Sequence, residues 1–164
     1  MLDVMPVSST YQRLLRLLED QDARYRLIDH APEGRTDLAS ELRGHPLSAA
    51  AKCMVVTVEQ AGGAHRHVLA VVPGDRKVHF KRLSRACGGG KARLADQRAA
   101  EELGRSVSGT ITPFSFHPEL ELLADPALFE VPELYFNAAR LDRSVVIRAE
   151  DYRRLARPRV ESIT

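Results

Sequence analysis

Lys52 and the stretch from Gly104 to Pro118 are the residues whose types and spacing suit chemistry. The stretch holds two glycines, five hydroxyl side chains, two aromatics, His117 and two prolines. That composition calls for a special backbone, and segments of this kind usually carry a site. Gly109 and Pro113 stand four residues apart and frame a turn a ligand can approach closely, because glycine has no Cβ and proline fixes the next bend. Backbone N–H groups in such a turn can hold a carbonyl oxygen and stabilise the oxyanion that forms when water attacks an ester. Ser106, Ser108, Thr110, Thr112 and Ser115 either orient water or a ribose, or satisfy the loop's own backbone.

Lys52 opens the β-branched run Lys52 to Val58 and shares a strand face with Met54, Val56 and Val58. A lysine on an apolar face must snorkel to water, pair with an acid or face a polar cleft. Its place at the head of the strand also allows an edge lysine turned to solvent.

Other chemistries fit poorly. Gly88-Gly89-Gly90-Lys91 lacks the glycine spacing and the Ser/Thr of a phosphate loop, and no G-x-S-x-G nucleophile elbow occurs. His65 and His67 project on one strand face without a third ligand at a metal spacing, and read as the end of a hairpin. Cys53 reads as core and Cys87 has no evident base. His30 and His117 both suit satisfied loop histidines; only His117 gains from its address.

The elements that must position these residues follow from periodicity. Tyr11, Leu14, Leu15 and Leu18 predict an amphipathic helix, with Ser8, Ser9 and Thr10 as caps. Tyr25 to His30 alternates as a strand. A second helix starts at Thr36 as N-cap, turns Leu38, Ala39 and Leu42 inward and stops at Gly44. Lys52–Val58 and His65–Val72 form a hairpin, Lys77 to Phe80 a short strand, and Arg82 to Ala86 a short helix. Asp96 caps a helix running to Gly104; strands follow at Leu120–Leu123, Glu133–Asn137 and Arg143–Arg148, and a last helical turn at Glu150–Leu155 precedes a basic tail. Hairpin spacing without βαβ alternation points to a mixed, largely antiparallel sheet with helices around it.

The 164 residues suit one domain, and 24 basic against 22 acidic residues leave a net charge of +2. That balance does not announce a nucleic-acid binder, so RNA contact requires a local patch, for which Lys77, Lys81, Arg82, Arg85, Lys91 and Arg93 are candidates. The first residues lack signal-peptide character, no apolar run reaches ~18 residues, and the two cysteines fit a reducing compartment. A cytoplasmic protein is expected.

Taken in order, Lys52 opening a Val-rich strand, Val71-Val72-Pro73-Gly74-Asp75, a helix ending in Gly104, Ser108-Gly109-Thr110-Ile111-Thr112-Pro113-Phe114 and Phe136-Asn137-Ala138-Ala139 resemble the YbaK/prolyl-tRNA synthetase-associated editing domain family. The similarity runs over nearly the whole chain. It implies a single α/β domain of the α+β type over 1–164, with helices around a mixed, largely antiparallel, barrel-like sheet. It also implies hydrolysis, in trans, of the ester of mischarged aminoacyl-tRNA. Lys52 would lie in the active site, and the G-x-x-x-P turn, Gly109 to Pro113, would position the aminoacyl carbonyl through its backbone. The tRNA's own ribose hydroxyl would help activate water, so no protein nucleophile, metal or cofactor is expected.

The expected site therefore has Lys52 and Gly109 as catalytic residues, with Ser108, Thr110, Ile111, Thr112, Pro113, Phe114, His117, Asn137 and Thr36 around the substrate. The expected partners are mischarged aminoacyl-tRNA and an aminoacyl-tRNA synthetase, with neither membrane nor DNA. Two departures from the family stand out: Ala139 where many members carry glycine, and Asp142 displaced from the acidic position of cysteinyl-specific members. The run Phe114 to Pro118 marks a subgroup, so the amino acid removed is not carried over. Two other readings compete: a tRNA- or synthetase-binding module that kept the fold without catalysis, and a hydrolase of small esters.

Overall fold

The computed structural model of the chain describes residues 9–164; Ser8, one of the expected caps, lies outside them. Helix α1 (Thr10–Asp20) starts at a reciprocal cap, in which the Ser9 hydroxyl accepts from Gln12 N and Gln12 Oε1 accepts from Ser9 N. Leu14 and Leu18, one turn apart, are fully buried. Strand β1 (Tyr25–Asp29) leads through a loop to helix α2 (Thr36–Arg43), which Gly44 ends in the left-handed conformation, φ 76°. Thr36 is the first helical residue and Arg35 the N-cap, one position earlier than the sequence suggested.

Strands β2 (Ala51–Glu59) and β3 (His65–Pro73) form the expected hairpin. Lys77 to Phe80 is not a strand: Phe80 already begins helix α3 (Phe80–Ala86), with the His79 ring accepting from Arg82 N. Strand β4 (Lys91–Leu94) joins the outer edge of β2, and Asp96 caps helix α4 (Gln97–Gly104). After the 104–118 stretch come β5 (Leu120–Ala124), β6 (Glu133–Asn137), β7 (Arg143–Arg148) and helix α5 (Ala149–Ala156). A two-residue strand β8 (Arg159–Val160) lies in what read as a basic tail.

The strands make two open sheets, β1-β7-β6 and β4-β2-β3-β5-β8, rather than one barrel-like sheet. The smaller sheet is antiparallel throughout, whereas β5 pairs in parallel with both β3 and β8. The two meet through a single bridge, Ala50 to Tyr135. The division follows from the apolar faces. Ala51, Val55, Leu69 and Val71 from the larger sheet pack with Leu134, Phe136, Val145 and Ile147 from the smaller, closed off by α1 and α5. The other face of the larger sheet, through Val56, Val58, Val68, Ala70 and Val72, packs under α3 and Ile163. A sheet with two apolar faces needs a cover on each, here the smaller sheet on one side and α3 on the other.

Candidate active site

The loop after β1 and the 104–118 stretch come together at two glycines. Gly109 has φ +86°, the left-handed region that favours glycine, and a Cβ placed on it would stand 2.7 Å from the Gly34 Cα. Its carbonyl accepts from Asn137 Nδ2 at 2.9 Å, and the same nitrogen donates to the Glu33 carbonyl at 2.8 Å. Asn137, at the end of β6, thus staples both loops. Its Oδ1 accepts from Ser144 Oγ at 3.0 Å and from the Arg43 guanidinium at 3.3 Å. All four of its hydrogen-bonding positions are used, which fixes the amide orientation.

The cleft beside this staple has a volume of ≈ 190 Å³ and is lined by Thr36, Ala39 and Arg43 of α2, Ala51 and Cys53 of β2, Phe136 and Asn137 of β6, and Gly34, Gly109 and Ile111 of the loops. At ~30 Å³ per water that is room for about six waters, the scale of a small aminoacyl group. The N–H of Ser108 donates to Glu101 Oε2 at 2.7 Å and that of Thr110 to the Val107 carbonyl at 2.9 Å. The Gly109 N–H between them has no acceptor among the described residues. An unclaimed backbone donor on a residue that lines a small cleft is suited to an oxyanion.

Of the expected site residues, the cleft collects Gly109, Ile111, Asn137 and Thr36. The others lie elsewhere. Thr110 is buried and donates to the Val107 carbonyl, Thr112 is buried and donates to the Phe114 carbonyl, and Ser115 donates to the Leu120 carbonyl. These hydroxyls satisfy their own loop. The Pro113 carbonyl accepts from the buried Tyr152 hydroxyl at 2.7 Å, and Phe114 packs edge-on to that ring in the core. His117 accepts from Glu119 N at 3.0 Å, and exposed Ser108 lies outside the lining.

Lys52 also stands apart. The pleat of β2 turns Ala51 and Cys53 to the cleft and Lys52 to the reverse face, where its ammonium donates to the Arg76 carbonyl and burial lowers its pKa. Lys52 and Gly109 do not face one cleft. The exposed residues Lys77, Lys81, Arg82 and Arg85 lie on or beside α3, at the sheet face toward which Lys52 turns, whereas Lys91 and Arg93 of β4 pair with Glu59 and Thr57 of β2 and so share the opposite face.

Arg43 is the residue the sequence reading missed. Leu42, expected inward, is 49% exposed, and Arg43 takes the inner face. Its Nε donates to His45 Nε2 at 2.9 Å and its Nη1 to Ser144 Oγ at 3.1 Å, with no acidic partner among the described residues. Burial lowers its pKa to about 10, so it stays charged at neutral pH. The i, i+3, i+7 spacing of Thr36, Ala39 and Arg43 was the available signal. Cys53 offers no nucleophile, since burial pushes its thiol far up. Among the described residues no group of three His, Cys, Asp or Glu is placed to hold a metal ion.

The family model of the aminoacyl-tRNA editing domain matches residues 30–155. The chain belongs to this family. It is 41% identical over 159 residues to the multifunctional Ser/Thr-tRNA deacylase ProXp-y of Escherichia coli (strain K12), covering 96% of this chain and 95% of that protein. The same figures hold for the protein of that name from Escherichia coli O157:H7. Among solved structures, a hypothetical protein matches with a TM-score of 0.82 at 19% identity, over 92% of this chain and 98% of that one. A candidate trans-editing enzyme for prolyl tRNA synthetase matches with a TM-score of 0.79 at 18% identity, over 97% and 99%. These structural matches speak for the fold of this editing domain, and the 41% relative for its family.

Proposed function

We propose that this editing domain is an aminoacyl-tRNA deacylase that acts in trans on seryl and threonyl esters. The unclaimed N–H of Gly109, a residue lining a cleft the size of a small aminoacyl group, carries the reading. The ester carbonyl lies against Gly109, water attacks the carbonyl carbon, and the oxyanion is held by the Gly109 N–H. The ester C–O bond then breaks, the ribose oxygen leaves with a proton, and the products are the free amino acid and uncharged tRNA. Asn137 pins the Gly109 carbonyl, one peptide unit on from the Gly109 N–H, so the turn that carries the donor is anchored before the charge develops. The lining contains no activated nucleophile, which agrees with a direct attack by water helped by the tRNA's own ribose.

Lys52 takes a different part from Gly109. It turns to the same side of the larger sheet as the cationic residues around α3, and we assign this side to the phosphates of the incoming tRNA. The choice of serine and threonine rests on the relative named a Ser/Thr-tRNA deacylase. A cytoplasmic location and delivery of the substrate by a synthetase belong to the same reading; no helix among the described residues is long and apolar enough to cross a membrane.

The test is a panel of mischarged tRNAs incubated with the wild-type protein and with Gly109→Ala. The wild type is expected to release serine and threonine. Gly109→Ala, which forces a side chain into a 2.7 Å contact at positive φ, is expected to lose at least ~100-fold in kcat/KM, the scale of one oxyanion donor. A wild type that binds tRNA and releases no amino acid establishes the binding-module alternative.

A further inference from the structure

We infer that the inner face of α2, formed by Thr36, Ala39 and Arg43, reads the side-chain hydroxyl of the aminoacyl group and so determines which ester is cut. The inference rests on the deacylase reading above and adds the means of selection.

A guanidinium has five N–H donors. In Arg43 one goes to His45 Nε2, two to Asn137 Oδ1 and Ser144 Oγ, and one, at 3.5 Å, to Ser40 Oγ. One N–H remains, on a side chain that lines the cleft. A phosphate or carboxylate would be met by a pair of parallel donors; a single donor suits one lone pair of a neutral oxygen. The substrate's hydroxyl supplies that lone pair and brings a proton of its own, which needs an acceptor. Thr36 also lines the cleft, and its Oγ1 makes no hydrogen bond to the described residues.

Thr36 and Arg43 stand on either side of Ala39 along the helix face that lines the cleft. Helical side chains lean toward the N-terminus, and the contact of Arg43 with Ser40, three residues back, shows the guanidinium folded that way. Ala39 leaves the intervening wall low, where the β-methyl of threonine needs space. Arg43 is held rigidly, since His45 stacks on Tyr135 with ring centroids 3.7 Å apart and Ser144 is fully buried. A site built to bond a hydroxyl rejects the analogue without one, because its own polar groups are then left unpaired.

The experiment charges serine, threonine and alanine onto one tRNA, so that only the side chain differs, and measures kcat/KM for wild type, Thr36→Val and Arg43→Met. The ratio of seryl to alanyl hydrolysis is expected to fall about 10-fold in each variant, the effect of one hydrogen bond of about 1.4 kcal/mol. Ala39→Val is expected to reduce threonyl more than seryl hydrolysis. Arg43→Met also touches Asn137 and hence Gly109, whereas Thr36→Val leaves that network intact, so the threonine variant decides where the arginine variant folds poorly. Unchanged ratios with equal losses on all three esters overturn the inference and leave Arg43 a positioning residue for Asn137. A wild type inactive on every ester refutes the deacylase reading instead.

Discussion

Arg43, and not Lys52, is the cation that lines the cleft. A strand lysine with apolar neighbours draws attention because its charge has an obvious cost. Yet the pleat decides which way it points, and Ala51 and Cys53 face the cleft instead. Arg43 stands at the end of a short helix, where a cation is favoured by the helix dipole alone. It is the cation of the cleft, balanced by Asn137, Ser144 and His45 rather than by an acid. If Lys52 serves tRNA phosphate, Lys52→Ala should lower kcat/KM several-fold through KM, with the salt dependence of binding reduced by close to one phosphate contact. Measured at two ionic strengths, an unchanged salt slope with full activity removes Lys52 from the tRNA interface; loss of kcat alone moves it to the chemistry.

Single elements were legible in proportion to how local their causes are. The Ser9 cap, the Gly44 stop and the Asp96 cap each act within a turn of helix, and all three could be read from residue type and spacing. The rotation of α2 could not, because it depends on what β6 and β7 offer across the cleft: Asn137 and Ser144 as acceptors for Arg43, and Tyr135 as a platform for His45. Lys77 to Phe80 failed as a strand for a similar reason, since Val78 is buried against the outer core and Phe80 already turns into α3. Ala139, between β6 and β7, has φ +59° where many family members carry glycine. Relief of that conformation should outweigh glycine's extra unfolded-state entropy, so Ala139→Gly is expected to gain up to about 1 kcal/mol, or 2–4 °C in Tm by calorimetry. The segment joining α2 to β2 should respond to pH. Burial and the neighbouring Arg43 charge hold His45 below its ordinary 6.5, and its Nε2 must stay unprotonated to accept from Arg43. The unfolded chain then binds more protons below pH 6.5, so the stability linked to His45 is complete above that value and is lost as pH falls toward the folded-state value. Urea midpoints between pH 8 and pH 5 should fall on acidification in the wild type and less steeply in His45→Gln; parallel slopes would exclude His45 as the source.

At the scale of the molecule, the longer strands were readable, while the short β4 and β8 and the partition into two sheets were not. Alternation identifies a strand with one dry face, but β2 and β3 are covered on both faces, and near-continuous apolar runs such as Val68 to Val72 do not say what covers each side. The answer lies partly at the far end of the chain. Asp125, buried at the end of β5, accepts from the backbone N–H groups of Ile163 and Thr164 at 3.0 and 3.1 Å, and so draws Ile163 into the outer core beneath α3. The cleft, by contrast, belongs to the inner side of the same sheet, through Ala51 and Cys53. A cavity in the outer core should therefore be felt in stability before chemistry. Ile163→Ala is expected to cost about 2–5 kcal/mol and on the order of 10 °C in Tm, while kcat/KM for seryl-tRNA, measured well below that midpoint, stays within about twofold of the wild type. A large loss of turnover in the still-folded variant would mean that the outer layer helps to shape the cleft, and that the two faces of β2 do not act independently.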